Sequence, residues 1–285
     1  MKKIRENARA GFTLVELTVV VVISSLALLA VYETLITQER TYRYQSAAID
    51  AQGSTRTALS LLAGELREVS ASAGGTLRMS GSDLLTTTRD SVRFRAFRKV
   101  GIVCSFSRLT GLVDLWVPGT AFERTDRLLV FSEGDSITDE DDHWDITSPL
   151  AVGSPIDASC ATEWPTYQVQ GLQLAITATD SIERGALIRS FETLSYGAYR
   201  HDGEWVLGRW DAAGVVPLVG PTLSPSEGGI RFQYFDVNGT ELTPTTAADR
   251  ARVSRIQVTI RSLSRGGIEG DYVDSLTTNV YLRGN

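Results

Sequence analysis

The chain has 285 residues, 42% of them hydrophobic, with 34 acidic against 28 basic side chains for a net charge of −6. That apolar share excludes a disordered chain, and the acidic balance excludes a phosphate-coating surface, so no nucleic acid is expected as a direct partner. Cys104 and Cys160 stand alone, with no CxxC pair and no Cys/His cluster.

The first segment, residues 1–11, holds Lys2, Lys3, Arg5 and Arg9 against Glu6. A basic head before an apolar run keeps the N-terminus in the cytoplasm. From Phe12 to Tyr32 the only charge is Glu16. At 1.5 Å per residue this run spans roughly 30 Å, about one hydrocarbon core, and it reaches membrane lipid. A cleaved secretory signal, a permanent anchor and a more specialised segment compete for it. Ala27 and Ala30 are three apart, which fits an A-x-A cleavage site badly, and no cysteine marks a lipoprotein.

Helical pattern continues past the apolar run. The first proline is Pro118, and Leu59, Leu62, Ala63, Leu66 and Val69 form a stripe at i, i+3, i+4, i+7. Tyr42, Ala48 and Ile49 extend that stripe upstream, and "SASAGG" at 70–75 ends it. One helix from 12 to 70 would be roughly 90 Å long, with Gly53 and Gly64 as its weak points.

Beyond 75 the period becomes two. "SVRFRAF" sets Val92, Phe94 and Ala96 against arginines. Strand-like runs follow at 127–131, 167–176, 186–199, 204–210, 230–237, 251–263 and 272–283. "HDGE" at 201–204 and "VNGT" at 237–240 are hairpin turns. Many antiparallel strands after one long helix predict an α+β fold in three parts: 1–11, the helix 12–70 (12–32 in the membrane) and a β-rich domain over 71–285. If that domain lies outside the cytoplasm, Cys104 and Cys160 form a disulfide; two buried free thiols are the alternative.

Three features carry possible chemistry. "LLVFSEGDSITDE" resembles the nucleophile block of GDSL hydrolases, which would make Ser136 the nucleophile of a membrane-tethered esterase. Such a serine needs a histidine base within reach. The two histidines, His143 and His201, do not stand where that family has one, and a strand ending in a polar turn explains the block equally. The acidic run 135–145 includes Asp139, Asp141 and Asp142, candidate oxygen ligands for calcium, but it lacks EF-hand spacing and also reads as a solvated loop. No other metal and no cofactor is implied. A plain membrane-anchored binding domain is a further reading.

The junction "RAGFTLVELTVV" is a short basic leader ending in glycine, then phenylalanine, then T-L-x-E opening an apolar helix. It resembles the class III signal of type IV prepilins and type II secretion pseudopilins. The resemblance implies that a prepilin peptidase cuts after Gly11 and methylates the new amine on Phe12. It implies that Glu16 meets the N-terminal amine of a neighbouring subunit, and that the helix leaves the membrane for a filament core. "GALIRSFETLSYGAYRHDGEW", "RVSRIQVTIRSLS" and the closing "VYLRGN" resemble the later half of J-type minor pseudopilins and PilW-like minor pilins. That likeness implies a structural, assembly-initiating subunit near a tip, not an enzyme. Its partners would be other minor and major pilins or pseudopilins and an inner-membrane assembly platform. Glu33 stands where many major pilins place a proline.

Overall fold

A computed structural model describes residues 13–70, 82–133, 143–157, 159–175, 182–267 and 270–282. A single helix, α1 (Leu14–Arg67), comes first. Gly53 and Gly64 lie inside it without a break. Up to Ser46 its side chains are almost all exposed; from Ala51 a buried row appears through Thr55, Ala58, Leu59, Leu62, Ala63 and Leu66. The upstream part of the expected stripe is therefore corrected: Tyr42 and Ile49 are exposed, and Ala51 and Thr55 continue the row instead. Small side chains at four-residue spacing let the helix backbone come close to what it packs on.

Fourteen strands follow among the described residues: β1 (Leu84–Thr87), β2 (Ser91–Ser107), β3 (Leu112–Val117), β4 (Arg127–Ser132), β5 (His143–Thr147), β6 (Pro149–Gly153) and β7 (Gln168–Leu174). The later ones are β8 (Leu187–His201), β9 (Glu204–Asp211), β10 (Gly214–Thr222), β11 (Ile230–Phe235), β12 (Glu241–Leu242), β13 (Arg255–Gly267) and β14 (Gly270–Tyr281). Two short helices interrupt them, α2 (Ser159–Glu163) and α3 (Ala247–Ala251). The layout is α+β, a long N-terminal helix followed by a large antiparallel sheet.

The sheet runs β12-β11-β13-β10-β9-β8-β2-β3-β7-β6, with β1 beside β2, β14 beside β13, and the β4–β5 hairpin beside β8. Strand β2 is its spine, pairing with β8 from Ser91↔Gly197 to Ile102↔Leu187. The register slips between Phe97 and Lys99, so Arg98 is an extra residue at a bulge. There its guanidinium takes both Glu65 carboxylate oxygens (3.0 and 3.2 Å) and reaches Glu192 at 3.1 Å. The expected hairpin at 201–204 has Asp202 and Gly203 at positive φ (48° and 86°), the geometry of a two-residue turn between β8 and β9.

Backbone contacts group Met1–Asp50 with Ser264–Tyr272, and Ala51–Leu263 with Val273–Asn285. In the first unit Tyr44 meets Tyr272 edge-on at 5.4 Å. In the second, Leu59, Leu62 and Leu66 share one core with Phe94, Leu194, Tyr196, Phe232 and Ile256. A separate core joins Val103, Leu115, Phe122, Leu128 and Ile188. Thr55 is the buried polar exception on the helix row. Its hydroxyl hydrogen-bonds the Ala51 carbonyl (2.8 Å) and Ser262 Oγ (2.7 Å), so it enters the core with its polar atom satisfied.

The strand expected over 251–263 begins only at Arg255. Residues 247–251 are α3, started by a reciprocal cap: Asp249 N–H donates to Thr246 Oγ1, and Thr246 Oγ1–H and N–H donate to the Asp249 carboxylate.

Candidate functional site

Thr13 is the first residue described, and it caps α1. Its N–H and Oγ1–H donate to Glu16 Oε2 at 2.9 and 3.0 Å, and Glu16 N–H donates back to Thr13 Oγ1 at 3.2 Å. This is a capping box, in which one side chain from each end satisfies helix-start N–H groups that have no partner within the helix. Glu16 thus sits on the first turn, at the positive end of the helix dipole, where a carboxylate is favoured. Both of its contacts use Oε2, which leaves Oε1 without a hydrogen bond among the described residues.

The next stretch is built for an apolar surrounding. No charge stands between Glu16 and Glu33, and Leu17, Val20, Ile23, Leu26, Leu29 and Tyr32 are all exposed. The hydroxyls along it turn inward: Thr18 donates to the Leu14 carbonyl (3.1 Å), Ser25 to Val21 (2.7 Å) and Thr34 to Ala30 (2.8 Å). A polar group in hydrocarbon must find such an internal acceptor. The helix is long and apolar enough to cross a membrane.

Gly11 and Phe12 lie outside the described residues, as do Ser136, Asp139, Asp141 and Asp142. Among the described residues no group of three or more His, Cys, Asp or Glu could hold a metal ion. His201 stacks on Tyr199 at 6.2 Å, at the hairpin.

Cys104 on β2 and Cys160 in α2 form a disulfide, with Cα atoms 5.9 Å apart. Around it Ile156, Asp157 and residues 159–164 are tied down at several points. Asp114, buried on β3, accepts the N–H groups of Ile156 (3.0 Å) and Asp157 (2.7 Å) and the Ser105 hydroxyl (3.0 Å). Trp116 Nε1–H donates to the Cys160 carbonyl at 2.7 Å, and its ring stacks on Trp164 at 4.7 Å. The Arg184 guanidinium covers Trp116 at 5.3 Å and pairs with Glu163. Thr13 stands in the prepilin-like motif but its capping role was not foreseen, and Asp114 stands in no motif. The Thr-x-x-Glu spacing at 13–16 carries the cap signal, whereas a lone aspartate in an apolar strand carries none.

A family model described as the prokaryotic N-terminal methylation motif matches residues 7–32. It spans the end of the basic leader, the glycine–phenylalanine junction and the apolar first half of the helix. No curated protein and no solved structure matches the chain. The motif supports a type IV pilin-like protein, processed by a prepilin peptidase and assembling with pilin-type subunits. Together with the exposed apolar helix it fits an inner-membrane-anchored pilin.

Proposed function

We propose that this chain is a minor pilin or pseudopilin, a structural subunit that initiates assembly near the tip of a type IV pilus or type II secretion pseudopilus. The peptidase cuts after Gly11 and methylates Phe12. Residues 12–32 then hold the protein in the inner membrane with its N-terminus in the cytoplasm, and the β-rich domain, 71–285, lies on the far side. An assembly platform draws it into a filament, where Glu16 meets the amine of a neighbouring subunit. The reading is structural, not catalytic.

The observation that carries it is the continuity of the methylation motif with the helix. The motif's own Thr13 and Glu16 cap α1, which goes on without a break from exposed apolar side chains to a buried row. A cut before Phe12 leaves that cap whole, because each of its hydrogen bonds lies within 13–16.

The test is the intact mass and N-terminal sequence of the chain from its native membrane. A methylated phenylalanine at the first position is expected, and a chain retaining residues 1–11 would overturn the processing step. The minor role is tested by quantifying subunits in sheared filaments. Far fewer copies than the main subunit are expected, and equal copies would sink it.

A further inference from the structure

A cavity of about 420 Å³ opens on the sheet, lined by Ser91 and Arg93 of β2, Thr193 and Ser195 of β8, and Trp210 and Asp211 of β9. The register explains the grouping. Arg93 pairs across with Ser195, and Ser195 pairs across with Trp210, so three neighbouring strands present one row. The alternate residues Val92, Phe94, Leu194 and Tyr196 are buried in the core shared with α1, which puts this row on the opposite face.

Trp210 lies low over the sheet because the position beside it is glycine. A Cβ on Gly208 would stand 3.2 Å from the Trp210 Cη2 atom and 2.8 Å from Tyr199 Cβ. The Tyr199 ring holds the indole edge-on, with centroids 5.7 Å apart and planes at 85°. Asp211 is fixed as well: Arg209 Nη2 donates to one oxygen (3.2 Å) and the Ala213 N–H to the other (2.9 Å). Arg93 has no acidic partner among the described residues, and the hydroxyls of Thr193 and Ser195 make no hydrogen bond there.

We propose that this hollow binds a saccharide, taking one pyranose ring against Trp210. Arg209 already neutralises Asp211, so Arg93 leaves one net positive charge beside the hollow, which disfavours a cation and admits a neutral or an acidic sugar. Hydroxyls, guanidinium and carboxylate together offer donors and acceptors to a ring rimmed with hydroxyl groups. The negative face of the indole attracts the polarised C–H groups of a sugar's flat side. The volume falls within the range of small-ligand sites. This site stands apart from the filament reading and holds whether or not the chain enters a filament.

The test is calorimetric titration of the full chain, held in a non-glycosidic detergent, with chitotriose, cellotriose and maltotriose. Inorganic phosphate and a ten-nucleotide oligothymidylate are the comparison ligands. At least one trisaccharide is expected to bind with a Kd of roughly 1 mM or tighter. Trp210→Ala should weaken it at least about tenfold, and Trp210→Phe, which keeps a flat ring, by less than about threefold. Arg93 is exposed, so Arg93→Ala leaves the fold intact and should weaken binding about tenfold. Gly208→Ala should also weaken it by displacing the indole. The proposal is overturned if no trisaccharide binds, if Trp210→Ala and Arg93→Ala bind as tightly as the parent, or if phosphate or oligothymidylate binds tighter than every sugar.

Discussion

Glu16 caps the helix, and in the function proposed above the same carboxylate also meets an amine; a single substitution separates the two. As a cap it accepts from Thr13 N–H and Oγ1–H through Oε2. As a charge it would attract the amine released on Phe12. Glutamine can also close a capping box, but it carries no charge. Glu16→Gln should therefore leave the helix start and the processing at Gly11 unchanged while lowering recovery in sheared filaments. Recovery equal to the parent would assign Glu16 to the cap alone. Thr13→Ala is the converse: it removes the hydroxyl that accepts from Glu16 N–H, at about 1 kcal/mol of local helix stability, and keeps the charge. Hydrogen exchange of the first helical turn reads that cost. The Thr-x-x-Glu spacing was open to view, yet a carboxylate in an apolar run attracts attention as a charge before it does as a cap.

The long helix was the most legible element, because its period and the lack of proline persist over many turns. Its buried register was only half legible: large residues marked Leu59, Leu62 and Leu66, whereas Ala51 and Thr55 carry no strong hydrophobic signal. Leu62 is fully buried in the core with the sheet, so Leu62→Ala should lower unfolding stability by about 3 kcal/mol in chemical denaturation. A loss below about 1 kcal/mol would mean that the cavity collapses or that the contact is weak. Strands with one wet face, such as β2 and β11, showed their alternation: in β11, Ile230, Phe232 and Tyr234 are buried and the residues between them are partly exposed. Strand β3 did not, since five of its six residues are buried and leave no period to read. Strand β10 was hidden by Pro217 and Pro221, and α3 by its brevity, its only start signal being Thr246-x-x-Asp249. The cysteine pair left a disulfide and two buried thiols both open, and nothing in the sequence showed the setting of the bridge. Asp114 and Trp116 of β3 and Arg184 of the loop before β8 converge on Ile156, Asp157 and residues 159–164 from positions well apart in the chain. Removing the bridge with Cys104→Ser and Cys160→Ser together should cost about 2–4 kcal/mol. A reductant-sensitive melting temperature in the parent, absent in the double variant, would confirm it.

At the scale of the whole molecule, the excess of acidic side chains makes stability depend on pH, and the carboxylates pull in two directions. Asp157, Glu227 and Asp249 are turn and cap residues at the surface, the first two exposed and Asp249 partly so. The hydroxyls of Ser159, Ser224 and Thr246 donate to them, joined by the backbone N–H of the same residue, and hold their pKa values below the usual range. Their contribution is present above the unfolded carboxyl value of about 4 and is lost as pH falls through the lowered folded values. Asp83 runs the other way. Burial raises its pKa and outweighs the Ser70 N–H and the Arg95 guanidinium 3.5 Å away. A raised folded pKa favours the fold most fully below about pH 4, and that share is lost as pH rises through the raised value. On the neutral side, then, the ionisation of Asp83 weakens the molecule, and on the acid side protonation of the caps does. Asparagine at position 83 keeps an acceptor for the Ser70 N–H but cannot ionise. Asp83→Asn should therefore flatten the neutral limb of a melting-temperature profile recorded from about pH 3 to about pH 8, with the acid limb unchanged. Asp249→Asn should do the reverse, making the acid limb shallower. Parallel profiles for Asp83→Asn and the parent would show that burial and the polar contacts cancel at this carboxyl, and a shallower acid limb in the variant would show that the contacts with Ser70 and Arg95 outweigh burial.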